Sequence, residues 1–298
     1  MHESRGLGDV YKRQMELSAT DPVWLKDVQV YPNAGKKEAR VRVVVGNATG
    51  KPASGTLTVG SKSYNVATPA SFQTQSVKVN ASEKENVVEF TYKPGDDVPL
   101  WDEFHPAMLR LAVKLETKAG TRSFADATSV NFGMRDFKAD RNLLKINGKT
   151  IFLRGRLDCA NYPLTGYPPM DKAEWIRVFS ITKAWGINHY RFHSWCPPEE
   201  AFQAADELGI YLQPEIPSKR SGYKTSENNE AAHWNIDRLD VASTDTKVTL
   251  YDYAKREGEQ IFQQFGNHPS FVMFTLGNEL GRNQGMFEMV DYLSLIHI

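Results

Sequence analysis

Hydrophobic and polar positions change period near Asp136. Before it they alternate. Val41, Val43 and Val45 interleave with Arg40, Arg42 and Val44; Leu109, Leu111, Val113 and Leu115 interleave with Arg110, Ala112, Lys114 and Glu116. A period of two sends one set of side chains to one face, so each run predicts a strand with a buried side. Further short strands are expected over 26–31, 55–59, 71–79, 86–92 and 124–132. Turn clusters such as Asn47-Ala48-Thr49-Gly50 and Lys93-Pro94-Gly95-Asp96-Asp97 separate them. Many short strands with regular turns predict an immunoglobulin-like β-sandwich over residues 15–135, here without a Cys…Trp…Cys pattern. Nothing in this part looks catalytic, and its expected role is support.

After Asp136, strands alternate with helices. A strand is expected over Thr150–Arg154, following an Asn147-Gly148 turn. Asp171 with Glu174 three residues on reads as a helix start, and Gly186 as its end. Trp175, Val178, Phe179 and Ile181 to Trp185 supply the apolar face of that helix. A second strand (187–192), a helix opened by Pro198 and stopped by Gly209, and a third strand (210–213) come next. A long polar segment precedes a helix over about 243–265. The segment Asn267 to Gly281 reads NHPSFVMFTLGNELG. Its first four residues are a turn, because the residue before a proline leaves the α region. Phe271 to Leu276 is a nearly all-apolar run suited to a strand buried on both faces, although periodicity alone leaves a helix segment open. A further helix is expected from about Gln284. Four βα units in order predict a parallel sheet, the first half of an eight-unit (β/α)8 TIM barrel over 136–293. The run 271–276 delivers Asn278 and Glu279 to the carboxyl end of a strand, where such barrels place their chemistry. A partly desolvated Glu279 would suit general acid/base work; the alternative is that the pair only caps the next helix.

Composition narrows the classes. The 298 residues are 41% apolar and carry 36 basic and 36 acidic side chains, so no excess charge favours nucleic acid or an acidic membrane surface. No apolar run approaches the roughly 20 residues of a membrane helix. Cys159 and Cys196 form no disulfide framework or metal-ligand spacing and are expected as free thiols near each other at adjacent strand ends. No cofactor motif and no metal site is expected. Met1 to Gln14 lacks the apolar core of a secretory signal. It resembles translated sequencing-adapter sequence, as does the final stretch 294–298, which implies a gene cut on both sides; the alternative is a genuine disordered N-terminus.

Five segments in order resemble glycoside hydrolase family 2, the family of β-galactosidases, β-glucuronidases and β-mannosidases. They are Phe132-Gly133-Met134-Arg135; Asn147-Gly148-Lys149 with Phe152-Leu153-Arg154-Gly155; Gly186-Ile187-Asn188 with Tyr190-Arg191; Asp206 to Tyr211; and Asn267-His268-Pro269-Ser270 through Gly277-Asn278-Glu279. The resemblance implies that Glu279 is the acid/base of a retaining, exo-acting hydrolysis of O-glycosidic bonds. It implies that Asn278 holds the sugar 2-hydroxyl. The family's nucleophile, a glutamate ending the seventh strand, has no counterpart here. The parent is therefore expected to be a glycosidase, and this chain alone to be inactive.

Further substrate contacts are expected at strand ends. Asp158 and Asn161 follow the first strand, in a stretch that departs from the family's usual Asn, Arg and His; each faces a ligand or makes a loop hydrogen bond. Either His193 or Ser194 fills the family's histidine place. Trp195 stacks on a sugar or forms wall. Glu215 pairs with Arg191 or binds substrate. Trp101 contacts sugar or packs at a domain edge. His233-Trp234-Asn235, in the polar segment 218–241, suggests a lid or subsite wall. Carbohydrate is the expected partner. A retaining endo-glycanase of the same clan and a non-catalytic carbohydrate-binding protein remain open. The compartment and oligomeric state are not fixed by the sequence, and a periplasmic or secreted location is only what the resemblance suggests.

Overall fold

The computed structural model describes residues 19–216, 250–278 and 284–297. Seven strands make the sandwich: β1 (Val23–Asn33), β2 (Glu38–Asn47), β3 (Ala53–Tyr64), β4 (Ser71–Ala81), β5 (Glu85–Tyr92), β6 (Met108–Ala119) and β7 (Arg122–Phe132). They form two antiparallel sheets, ordered β1-β2-β5 and β4-β3-β6-β7. The alternation in β6 is regular, with Leu109, Leu111, Val113 and Leu115 all at 0% exposure. With Leu57 and Val59 of the adjacent β3 they face Val41, Val43 and Val45 of the other sheet across the core. Burying each such side chain contributes about 1.5–3 kcal/mol, which is why the two-residue period was a dependable guide.

The stretch after the sandwich departs from expectation. The first barrel strand was placed at Thr150–Arg154. Instead, β8 (Phe137–Asp140), β9 (Leu143–Ile146) and β10 (Lys149–Ile151) form a small antiparallel meander. Asn147 (φ 49) and Gly148 (φ 79) make the turn between β9 and β10. Positive φ at both central residues is the tight hairpin geometry that Asn-Gly favours, so the turn folds the chain back rather than launching it into the barrel. The first barrel strand is β11 (Gly155–Asp158), parallel to β12 (His189–Phe192), which is parallel in turn to β13 (Tyr211–Gln213).

The helices follow the sequence signals. Asp171 caps α1 (Lys172–Ala184), its carboxylate accepting from the Glu174 amide at 2.8 Å. Trp175, Phe179 and Thr182 form the buried face, whereas Ile181 and Trp185, expected on it, are 48% and 84% exposed. α2 (Glu199–Leu208) ends at Gly209 in the left-handed conformation. α3 (Leu250–Phe265) and α4 (Gln284–His297) pack together through Ala254, Met289 and Leu293. The start expected for α3 near Ser243 lies outside the described residues. Among the described residues, no helix is long and apolar enough to cross a membrane.

Sandwich and barrel meet over a polar and aromatic joint. Trp101 is fully buried there, edge-on to Tyr211 at 5.8 Å, with its indole N–H donating to the Asp206 carbonyl at 2.8 Å. It is a packing residue at the domain edge, without open surface for a sugar.

Candidate active site

Along β12, His189, Arg191 and His193 lie two residues apart, so they share one face, while Tyr190 and Phe192 point the other way. Tyr190 and Phe192 are fully buried against Trp175 and Phe179 of α1. The polar face is thus the one turned away from the helices. Tyr211, Gln213 and Glu215 continue it on the neighbouring strand. Gly155 pairs with His189, and a Cβ there would sit 2.9 Å from His189 Nδ1, so the glycine leaves the imidazole its space.

At the carboxyl ends of these strands Arg191 is the hub. Its Nε donates to Glu215 Oε1 at 2.5 Å, and its Nη2 donates to Asn278 Oδ1 at 3.1 Å. A guanidinium only donates, so Asn278 must present its oxygen to Arg191 and its NH2 group elsewhere. Glu215 is completely buried; its second oxygen lies 3.7 Å from His193 Nδ1, outside hydrogen-bond range. Ser194 Oγ lies 3.2 Å from the same nitrogen, and the His193–Ser194 peptide is cis. One level down, Gln213 Nε2 donates to Thr275 Oγ1 at 2.5 Å. Burial pushes the His189 imidazole down to about 4, against a hydrogen bond with Gln213, so that ring is neutral.

The expected site residues fall into three groups. Asn278, Glu215 and His193 come together around Arg191, with Glu215 in the ion pair and His193 partly exposed. Asp158, Asn161 and Trp195 do not join them. Asp158 holds its own loop, with Oδ1 accepting from the Ala160 amide at 2.9 Å and Oδ2 from the Tyr162 hydroxyl at 3.2 Å. Burial, then the Asp158 charge, pushes that tyrosine's pKa up. Asn161 is exposed on the same loop. Trp195 is 3% exposed, edge-on to Phe192 at 5.2 Å and donating to the Asp158 carbonyl at 3.1 Å. Of the two roles considered for it, this placement favours wall over stacking on a sugar. Glu279 and the 218–241 segment with His233-Trp234-Asn235 lie outside the described residues. Cys159 and Cys196 are free thiols.

Residues 267–271, which read in the sequence as a turn, a strand start and part of the family resemblance, carry a second polar cluster. His268 Nδ1 meets Asp206 Oδ2 at 2.6 Å and its Nε2 meets Glu199 Oε1 at 3.2 Å. Burial opposes the charge, but Asp206 first and Glu199 second overcome it, and the imidazole is pushed up to about 10. The inward set on β12 could have been found from the His-x-Arg-x-His spacing; the partners of His268, more than sixty positions away, could not.

The described part of the site offers a buried carboxylate neutralised by a guanidinium, a partly exposed imidazole and an outward amide NH2. Such groups suit a polyhydroxylated ligand. Among the described residues, no group of three or more His, Cys, Asp or Glu converges as metal ligands.

Comparison with known proteins is consistent with this layout. Residues 137–295 match the family model described as "Glycosyl hydrolases family 2, TIM barrel domain", and residues 23–135 match "Glycosyl hydrolases family 2". A Formosa agariphila protein named "Putative beta-glucuronidase" is 28% identical over 198 residues, 66% of this chain and 21% of the relative. Bacteroides uniformis beta-glucuronidase 2 superposes with a TM-score of 0.67 at 17% identity, over 93% of this chain and 32% of that one. A beta-galacturonidase from Eisenbergiella tayi gives 0.69 at 15% identity, over 93% and 44%. At those identities the two structures speak for fold alone. The chain spans 21% of its curated relative and 32% and 44% of these two solved structures.

Proposed function

The chain belongs to glycoside hydrolase family 2, and on that premise we propose that it carries the acid/base half of a retaining, exo-acting β-glycosidase site. Glu279 protonates the leaving glycosidic oxygen and then activates water. Asn278 donates its NH2 group to the sugar ring hydroxyl beside the reacting carbon. The observation that carries this reading is the Arg191 bridge from Glu215 to Asn278, which directs the asparagine NH2 away from the hub at the strand ends. Retaining hydrolysis needs two carboxyl groups about 5–5.5 Å apart across the sugar. Glu215 is fully buried and tied to Arg191, which suits a structural anion and not a nucleophile. No carboxylate among the described residues is assigned as the nucleophile, and the 298-residue chain by itself is expected to be inactive. Relatives named as β-glucuronidase and β-galacturonidase support a β-linked uronic acid as substrate, with a neutral hexose as the alternative that the family resemblance leaves open.

The test is a panel of p-nitrophenyl β-glucuronide, β-galacturonide, β-galactoside and β-mannoside. It is run on this chain and on the longest in-frame product of its source gene. The longer product is expected to cleave one of them with retention of configuration, and Glu279→Gln to lower kcat/KM about 10²- to 10⁴-fold, the range of general acid/base catalysis. Inversion, or a Glu279→Gln variant as active as the parent, refutes the mechanism; turnover by the 298-residue chain itself refutes the division of the site.

A further inference from the structure

The segment that ends in Asn278 pairs with the neighbouring strand at its two ends and is irregular between them. Amide bonds run from Leu212 to Ser270, from Thr275 to Pro214 and from Ile216 to Thr275. The bridges are Leu212 with Phe271 and Glu215 with Thr275. Three residues (272–274) separate them on this segment and two (213–214) on the other. The amides of Val272 and Met273 both point at the Leu212 carbonyl, at 3.2 and 3.4 Å. That is a bulge: this segment spends one more residue than its neighbour between the two bridges. The face each following side chain takes therefore depends on where the extra residue sits, and a one-residue shift would turn them all to the opposite face.

What precedes the bulge is gripped from the sandwich. Asn267 behaves like a strand residue: its Nδ2 donates to the Val28 carbonyl at 2.9 Å and its Oδ1 accepts from the Val30 amide at 2.8 Å. Arg135, at the sandwich's last residue, straddles the turn. Its Nε donates to the Pro269 carbonyl at 2.6 Å and its Nη2 to the Phe271 carbonyl at 2.7 Å. Arg135 is half-buried, desolvation pushes its pKa down to about 10, and it is still charged at neutral pH. Gly133 lets Pro269 seat, since a Cβ would fall 2.7 Å from the ring. A planar fork on two carbonyls two residues apart, one in the turn and one at the start of the strand, fixes position and direction together, which one lysine charge does not.

We propose that Arg135 and Asn267 are positioning residues that set, from the sandwich, the register of the segment presenting Asn278. The sandwich would then be a working part of the site as well as a support. The structural half of this stands without any assigned activity; the catalytic half rests on the function proposed above.

Two measurements separate the halves. In the 298-residue chain, amide hydrogen exchange is followed in peptides covering 271–278, with β6 and α2 as internal references. Arg135→Met is expected to speed exchange in 271–278 at least tenfold, Arg135→Lys by less, with the references unchanged. Unchanged exchange in 271–278 overturns the proposal, and so does an equal rise everywhere, because the residue is then only part of general stability. Asn267→Leu, which keeps Arg135, provides the same readout if Arg135→Met does not fold. In the active gene product, Arg135→Met is expected to cut kcat about tenfold for a poor leaving group that needs protonation, with KM within twofold. A 2,4-dinitrophenyl glycoside, which leaves without protonation but still needs the Asn278 contact, is expected to lose less than the poor leaving group but not to match the parent. Rates unchanged on both substrates overturn the link to catalysis. A parent that cleaves nothing defeats the proposed function and leaves the exchange result to judge the clamp.

Discussion

Replacing Asp206 by Asn tests whether the buried His268 charge ties α2 to the turn at 267–270. Asp206 accepts from His268 Nδ1 at 2.6 Å through one oxygen and from the Ser270 amide at 3.1 Å through the other. Asparagine keeps an oxygen for Ser270 but removes the charge. His268 has a folded-state pKa of about 10, above its ordinary 6.5. A raised value means that the stabilisation is complete below pH 6.5 and is lost as pH climbs toward 10. At about 1.4 kcal/mol per unit, the chain is expected to lose about 3 kcal/mol from this group between pH 6 and pH 9. Guanidinium unfolding followed by tryptophan fluorescence at the two pH values measures it. The difference between parent and Asp206→Asn cancels groups common to both. In the variant the loss is expected to shrink by more than half, since only Glu199 still faces the ring at 3.2 Å. At pH 6 the variant is expected to be less stable by about 3–5 kcal/mol, the usual cost of breaking a buried pair. An identical pH slope in both proteins would show that His268 is not charged in the folded state, and the argument would fail.

Two further outcomes follow from other joints. His189 has the opposite sign: its pKa is held down to about 4, so its contribution is present above pH 6.5 and lost as pH falls through 4. His189→Gln is expected to flatten the acid side of the stability profile by about 3 kcal/mol, read from urea titrations at pH 4 and 7; an unchanged acid limb refutes it. Gly209 sits at φ 68, and a Cβ there would lie 2.7 Å from the Glu103 carbonyl oxygen. Gly209→Ala is expected to cost about 2 kcal/mol or more, from left-handed strain and the clash with the sandwich loop, and a melting temperature equal to the parent's counts against that contact.

Sandwich and barrel also divide the labour of packing. The sandwich has its own apolar core around Val43, Leu57 and Leu111, and the barrel half has one around Trp175, Phe192 and Phe202. Between them lie a small apolar cluster of Trp101, Met108, Ile146 and Tyr211 and a set of directional contacts: Trp101 to Asp206, Asn267 to β1 and Arg135 to the turn. Hydrogen bonds of this kind add little net stability each but specify geometry closely. They suit a joint whose task is to aim one part at another.

By itself, the sequence determined the elements whose signals are local. A two-residue apolar period marked β2 and β6 because one sheet face is buried. Asp171 and Gly209 marked helix ends because caps satisfy backbone groups within a turn or two. The ordered motifs were enough to name the family and to bring Asn278 to a strand end. Tertiary structure decided what depends on partners far along the chain. The Asn147-Gly148 turn folded its strand into a meander, and the barrel began at Gly155 instead. Trp195 and Asp158 could be read as ligand contacts or as wall and loop from the sequence; the fold sets Trp195 edge-on to Phe192 and Asp158 against the Tyr162 hydroxyl, partners no local signal names. His268 and Arg135 gave no local sign of their roles, since a charge's burial and its partner are set only when α2, the turn and the sandwich close on one another.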